Sequence, residues 1–431
     1  KKIESIEVSD AAELTKIGML QLSLNDIEGI TSIEQAAELN PNLPQAKIAL
    51  AAAYFQTKNY EKAFELAQMW QQDNPEQIMG YALQGLTAVQ TNDNMLANSS
   101  FQKVLEIEPD NATALMYFAN QSYVANDYSK VQEYLPKLLA TSPYHLPALV
   151  LNYRTAYKLE STASALTLIN AAFDANTDNP QYILLYARAL YAEQSWEKVI
   201  SLLGRSSNQD VKTSNIFWLA QVQSYLKLKK PDMALEILAQ WTKEFPQLEL
   251  AWLQKIEQEE KLGKYSDSLS TAQSGLRFIP NSLRLRLVEA NLYASMNKDR
   301  EAQTSLNKLS EEELKTPFAQ KIQGHILALQ GNNKAALPKL LEGYKSAPAL
   351  RNAALVYVTY KALNQQSDGF DFLEKHIDEN PNDVKAMTLI ANEYLSAAPN
   401  KAIGHYLTII EIEQSNWIAL NNLAYLYHQQ G

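Results

Sequence analysis

Residues Leu50–Pro75 read LAAAYFQTKNYEKAFELAQMWQQDNP, and this stretch decides the fold. Leu50, Ala51 and Tyr54 lie on one helical face; Ala63, Phe64, Ala67 and Trp70 lie on another. Between them, Lys58-Asn59-Tyr60 supplies a polar turn, with Asn59 able to take the left-handed cap. Asn74-Pro75 ends the second run, because proline has no N–H and disfavours helical geometry in the residue before it. The segment predicts a hairpin of two antiparallel helices, A and B, that cross closely where their side chains are small.

The same pattern recurs along the chain. A small or short residue opens the B-helix face at Gly29, Ala63, Ala97, Val131, Ala165, Val199, Ala234, Ser268, Ala302, Ala336, Gly369 and Ala402. Successive spacings are 33 to 35 residues. A matching A-helix column runs through Gly18, Ala51, Gly85, Ala119, Tyr153, Ala187, Val222, Ile256, Ala290, Gly324, Tyr357 and Ala391, and Ala424 opens one more. A third column carries Pro41, Pro75, Pro109, Pro143, Pro246, Pro280, Pro348 and Pro381. Unrelated amphipathic helices would not hold one period over 400 residues.

This pattern resembles the tetratricopeptide repeat (TPR) over essentially the whole chain, most clearly at 112–145, 215–248, 283–315 and 317–350. The resemblance implies an all-α fold, an α-α superhelix or solenoid of about eleven and a half hairpins, with A helices lining a concave groove. It also implies a protein that binds partners.

Departures from the pattern set further expectations. Tyr153 and Tyr357 put large rings at small-residue positions, so their hairpins should open or shift. Pro136 and Pro338 fall inside B helices and should bend them, whereas Pro231 opens one. The stretch 204–210 replaces the usual Asn-Pro turn. The expected organisation is therefore a flank at 1–9, an N-terminal sub-stack at 10–203, a joint at 204–213, and a C-terminal sub-stack at 214–431 ending in half a repeat. Lys1-Lys2-Ile3-Glu4 leads straight into helical sequence, and Trp417, Leu420, Leu423 and Leu426 lack a following B helix; both read as marks of a fragment.

Composition bounds the function. Of 431 residues, 46% are hydrophobic and 20% charged, enough for a large core and too apolar for disorder. The net charge is −10 and no Lys/Arg run exceeds a pair, which argues against nucleic acid. There is no Cys, hence no disulfide, thiolate metal site or Cys nucleophile. No apolar stretch approaches the ~18 residues of a membrane span. The five histidines (145, 325, 376, 405 and 428) share no helical turn with one another, and no hydrolase, zinc-protease or phosphate-loop motif occurs. The acidic runs at Glu257/Glu259/Glu260 and Glu311–Glu313 read as solvated helix faces. The expectation is a chain that is not an enzyme, with no cofactor and no metal.

One constellation points to binding. Asn120, Arg154 and Arg188 form one column on the A helices at intervals of 34, and Tyr123, Tyr157 and Tyr191 form another. Arg forks pair with carboxylate or phosphate, and Tyr faces stack on apolar or sugar surfaces. The column therefore fits a groove for an acidic or C-terminal carboxylate peptide, or for an anionic saccharide. Equally, Tyr here can pack on its neighbour while Arg sits as a solvated rim residue.

The order Ile17-Gly18-Met19-Leu20, Asn25 to Ile30 and Ala36 to Pro41 is similar to the long TPR lipoproteins of PEP-CTERM/exosortase systems. That resemblance implies a bacterial envelope or periplasmic scaffold, lipid-anchored upstream of Lys1 and linked to exopolysaccharide export or protein sorting. The alternatives are a cytoplasmic location, and the non-catalytic TPR arm of a larger enzyme such as a glycosyltransferase or sulfotransferase.

Overall fold

The computed structural model describes residues 10–41 and 43–430, so the expectation for 1–9 lies outside the described residues. All regular elements among them are helical. The chain forms two compact units, Lys1–Ala220 and Gln221–Gly431.

In the N-terminal unit, α1 (Ala11–Ser23) is followed by α2 (Glu28–Leu39), α3 (Pro44–Gln56) by α4 (Tyr60–Asp73), and α5 (Ile78–Gln90) by α6 (Asn94–Ile107). Then come α7 (Ala112–Val124) with α8 (Tyr128–Thr141), α9 (Leu146–Lys158) with α10 (Ala163–Ala175), and α11 (Pro180–Ala192) with α12 (Trp196–Gly204). A single turn, α13 (Gln209–Lys212), precedes α14 (Asn215–Lys227), and the division between the units falls inside α14.

In the C-terminal unit, α15 (Pro231–Glu244) completes that pair. It is followed by α16 (Glu249–Lys261) and α17 (Tyr265–Phe278), then α18 (Leu283–Ser295) and α19 (Asp299–Leu306). Next are α20 (Pro317–Leu329) and α21 (Asn333–Ser346), α22 (Leu350–Ala362) and α23 (Gln366–Glu379), and α24 (Val384–Ala397) and α25 (Pro399–Ile412). The last helix is α26 (Trp417–Gln430). Twelve pairs plus α26 are thus present among the described residues, against an expected eleven and a half.

The B-helix column is the core of every pair. Each of its members is at most 3% exposed or is a buried glycine, and Val131, Val199 and Ser268 are fully covered despite their extra atoms. Large side chains farther along the same face fill the gaps: Leu135 and Leu138 after Val131, and Tyr406 and Ile409 after Ala402. Pro136 and Pro338 lie within α8 and α21, which run through them, and Pro231 opens α15.

The A–B turn has its own backbone signature. Eleven of the twelve pairs place one residue in the left-handed region there: Asn25, Lys58, Asn92, Asn126, Glu160, Gln194, Lys229, Gly263, Asn297, Gly331 and Asn364. At Asn126-Asp127 the consequence is complete. The Asp127 N–H bonds back to Ser122 O at 2.8 Å, and the Asp127 carboxylate accepts from the Lys130 N–H, closing one helix and opening the next. The exception is α24–α25, where Ala398-Pro399 makes the turn.

The two misfit tyrosines are buried, each reaching into the following hairpin. Tyr153 Oη donates to Glu193 Oε1 at 2.8 Å and to Ala189 O at 3.2 Å; Tyr357 Oη donates to Glu393 Oε2 at 2.9 Å. Opposite Tyr357 the B helix carries Gly369, where a Cβ would stand 3.0 Å from the ring. The large residue has moved to the A helix and the missing volume to the B helix.

The irregular stretch after α12 is tied down within the N-terminal unit. Asn208 caps α13 through the Asp210 N–H and donates to Asp178 O at 2.7 Å, while Val211 is fully buried.

Candidate functional site

Each A helix turns the residue after its crossing position away from the B helix, and the residue three further on shares that face. That geometry presents Asn120 and Tyr123 on α7, Arg154 and Tyr157 on α9, and Arg188 and Tyr191 on α11. Consecutive A helices also touch, α7 with α9 and α9 with α11, so their faces adjoin.

The six residues do not form one uniform ladder. Arg154 lies over Tyr123 of the preceding hairpin, with Cζ 4.7 Å from the ring centre. Tyr123 is half-buried and packs against Tyr128, 5.7 Å between centroids. Tyr191 turns to Trp196 in an edge-on contact at 4.9 Å. Tyr157 stays 57% exposed, and Asn120, Arg154 and Arg188 are exposed. Among the described residues neither Arg154 nor Arg188 has a carboxylate within ion-pair distance. Stacking on Tyr123 occupies a face of the Arg154 guanidinium and leaves its edge donors free to take a carboxylate in the fork geometry.

The histidines sort by environment. His145 Nδ1 accepts from the Ala148 N–H and caps α9. His376 is buried with Nδ1 2.8 Å from Tyr344 Oη, and His405 lies 3.2 Å from Glu374. No group of three or more His, Asp or Glu among the described residues is arranged to hold a metal, and none of these helices is long and apolar enough to cross a membrane.

Two further features lie apart from the six residues of that face. A cleft of about 420 Å3 opens where α12 stops early at Gly204, lined by Phe173, Tyr186, Lys198 and Arg205. In the C-terminal unit, Lys321, His325 and Arg351 line a cavity of about 350 Å3. The available signals were the place of His325, with Asn291, in the A-helix column that holds Arg154, and the i, i+4 spacing of Lys321 and His325 on α20; Arg351, from the next A helix, carried none.

Paired helices of fixed period with small-residue crossings define a class, the all-α helical-hairpin repeat chain that presents its A helices to a partner. Family comparison narrows the class: the tetratricopeptide repeat family matches residues 28–78, and the family described as anaphase-promoting complex, cyclosome, subunit 3 matches residues 160–241. The chain is a TPR-repeat protein, and such proteins are protein-interaction scaffolds. Among curated proteins, none matches this sequence. Solved structures similar to it include the APC/C hetero-tetramer Cut9-Hcn1, at 15% identity and TM-score 0.42, covering 97% of this chain and 96% of that one. Yeast Tom70 matches at 12% identity and TM-score 0.45, covering 97% and 95%. Naa15/Naa10 bound to HypK-THB matches at 11% identity and TM-score 0.37, covering 98% and 86%.

Proposed function

We propose that the chain is a non-catalytic scaffold whose N-terminal unit takes an acidic peptide, ending in a free carboxylate, along α7, α9 and α11. The observation that carries this reading is Arg154: a guanidinium with no carboxylate partner among the described residues, fixed over Tyr123 at 4.7 Å. Arg188 supplies a second unpaired fork on the next A helix, and Tyr157 an exposed ring between them. An anionic saccharide shares the charge and is the alternative occupant.

The test is fluorescence anisotropy with a labelled acidic peptide bearing a free C-terminus, beside its amidated form. Arg154→Glu with Arg188→Glu should weaken binding of the free acid at least about tenfold, and should leave thermal unfolding nearly unchanged. Unchanged affinity in the double variant removes the assignment. Tighter binding of an anionic oligosaccharide than of either peptide transfers the site to glycan.

The finer reading is an envelope scaffold of an exopolysaccharide or protein-sorting assembly, supported by the order of residues in the first hairpin, Ile17 to Pro41. Fractionation of the native cell, with this chain followed by antibody, tests it. Recovery in the cytosol would reject it.

A further inference from the structure

The A helices of the C-terminal unit bring three basic side chains to one cavity of about 350 Å3. Lys321 and His325 stand one turn apart on α20, and Arg351 comes from the first turn of α22. Lys321 is fixed in place. Its stem packs against Gly343 of α21, where any Cβ would collide with it, and its Nζ sits 4.3 Å from the Phe318 ring centre. Arg351 reaches back across the face: Nη2 donates to Ser295 Oγ at 2.5 Å, and Nη1 stands 3.8 Å from Glu260 Oε1. Asn291 and Asn352 complete the polar wall.

The cavity is short of negative charge. Burial pulls the Lys321 ammonium down to about 8, helped by Arg351 and opposed by Glu260. Burial likewise pulls His325 down to about 4, with Arg351 and Lys321 adding their repulsion. Glu260, on α16, is held above the usual carboxylate range by burial, against the pull of Arg351 and Lys321 and with a push from Glu257. The titratable groups facing Lys321 and His325 are therefore Arg351, Glu260 and, beyond it, Glu257.

We propose that this cavity binds a compact dianionic oxyanion, a phosphate monoester, gripped by Lys321, His325 and Arg351 and finished by Asn291 and Asn352. A carboxylate offers one charge and two oxygens. A phosphate monoester carries close to two charges at neutral pH and three strong acceptor oxygens, matching three basic donors. Arg351 already makes one long ion pair, with Glu260 at 3.8 Å, and one hydroxyl bond; exchanging the distant Glu260 for phosphate gives its fork a closer and more highly charged partner. Occupancy replaces mutual repulsion with attraction, so His325 and Lys321 become easier to protonate and binding takes up protons. The site lies in the other unit from the Arg154–Tyr123 pair and stands without it.

The test uses the full chain with 15N-labelled histidine and two probes that share a ring, phenyl phosphate and benzoate. Phenyl phosphate should bind at least about tenfold more tightly than benzoate, and Lys321→Gln should weaken it at least about tenfold. Lys321→Arg should restore most of that loss. The His325 ring signal, identified by its disappearance in His325→Gln, should raise its titration midpoint by about one unit or more on saturation. Equal binding of benzoate overturns the dianion assignment. An unmoved His325 midpoint, or unchanged affinity in Arg351→Gln, overturns the site; Arg351 is exposed, so this variant tests the site even where Lys321→Gln fails to fold.

Discussion

On α9 and α11 of the N-terminal unit, Arg154 and Arg188 are exposed and far enough apart to be single charges, Arg154 lying on the Tyr123 ring; on α20 and α22 of the C-terminal unit, Lys321, His325 and Arg351 converge on one cavity. The same element type, repeated at the same interval, supports both arrangements. In the first, water and salt screen each charge, so a guanidinium costs the fold little and can be exchanged freely. In the second, burial acts on Lys321 and His325, the exposed Arg351 adds its repulsion, and the fold is held against both. A basic residue on an A helix is therefore defined by what surrounds it rather than by its column in the repeat.

The largest expected effect that could break this contrast is in pH dependence. Folded His325 protonates near 4, whereas the unfolded ring takes its proton near 6.5. The unfolded chain thus binds a proton that the folded chain refuses. Stability present above pH 6.5 is lost as pH falls toward 4, by ~3 kcal/mol from this group. Urea unfolding at pH 7 and 4.5 should show that share of the loss missing from His325→Gln. Identical losses in parent and variant would mean His325 is solvated like the N-terminal arginines.

Next in size is overpacking, expected to be the same in both units. Ala302→Leu at the α18–α19 crossing and Ala165→Leu at the α9–α10 crossing should each destabilise by ~1–3 kcal/mol, read as denaturation midpoints. Indifference at either position would mean that its crossing has room to spare.

A smaller effect sharpens the electrostatic difference. At pH 7 Lys321 lies below its lowered folded pKa of about 8, so it is charged in both states and the folded chain bears the penalty. Lys321→Met, which keeps the stem, should raise stability by ~1–2 kcal/mol, whereas Arg188→Met should stay within ~0.5 kcal/mol of the parent. Equal shifts in the two variants would erase the distinction.

The smallest effect concerns the turns. Glu160 holds a left-handed conformation that favours glycine (φ 52°), and Glu160→Gly should stabilise by ~0.5–1 kcal/mol. Gly263→Ala, the reverse change at the equivalent turn, should destabilise by a similar amount; differential scanning calorimetry would register both.

The fold was legible because the repeat writes its steric needs into residue size. Ala63, Ala97, Ala234, Ala302 and Ala336 are small for one reason, and all are fully buried. The left-handed turn was only partly legible. Asn92 and Asn126 announce it, but Lys58, Glu160 and Gln194 take the same conformation because the flanking helices leave no other path. Tyr153 and Tyr357 marked irregular hairpins, yet nothing local showed that their hydroxyls would bond to Glu193 and Glu393 in the next hairpin. The column of Asn120, Arg154 and Arg188 showed which residues share a face. It could not show that Arg154 settles on Tyr123 while Tyr191 turns to Trp196, since side-chain choice depends on neighbours from other hairpins. The Lys321 cavity was least legible, because Arg351 joins it by reaching over an intervening hairpin.

That reach has a consequence for cooperativity. A stack in which each hairpin touches only the next behaves like a one-dimensional chain of coupled units, able to melt from any weak point and to keep the rest. Arg351 ties α22 to α18 and α16, adding coupling beyond nearest neighbours in this part of the stack. While the tie holds, hairpins between α16 and α23 gain a shared reason to open together. A ligand that draws the guanidinium from Glu260 while bridging Asn291 on α18 and Arg351 on α22 would release α16 from the tie and keep α18 to α22 coupled, so the hairpin carrying α16 should open more independently.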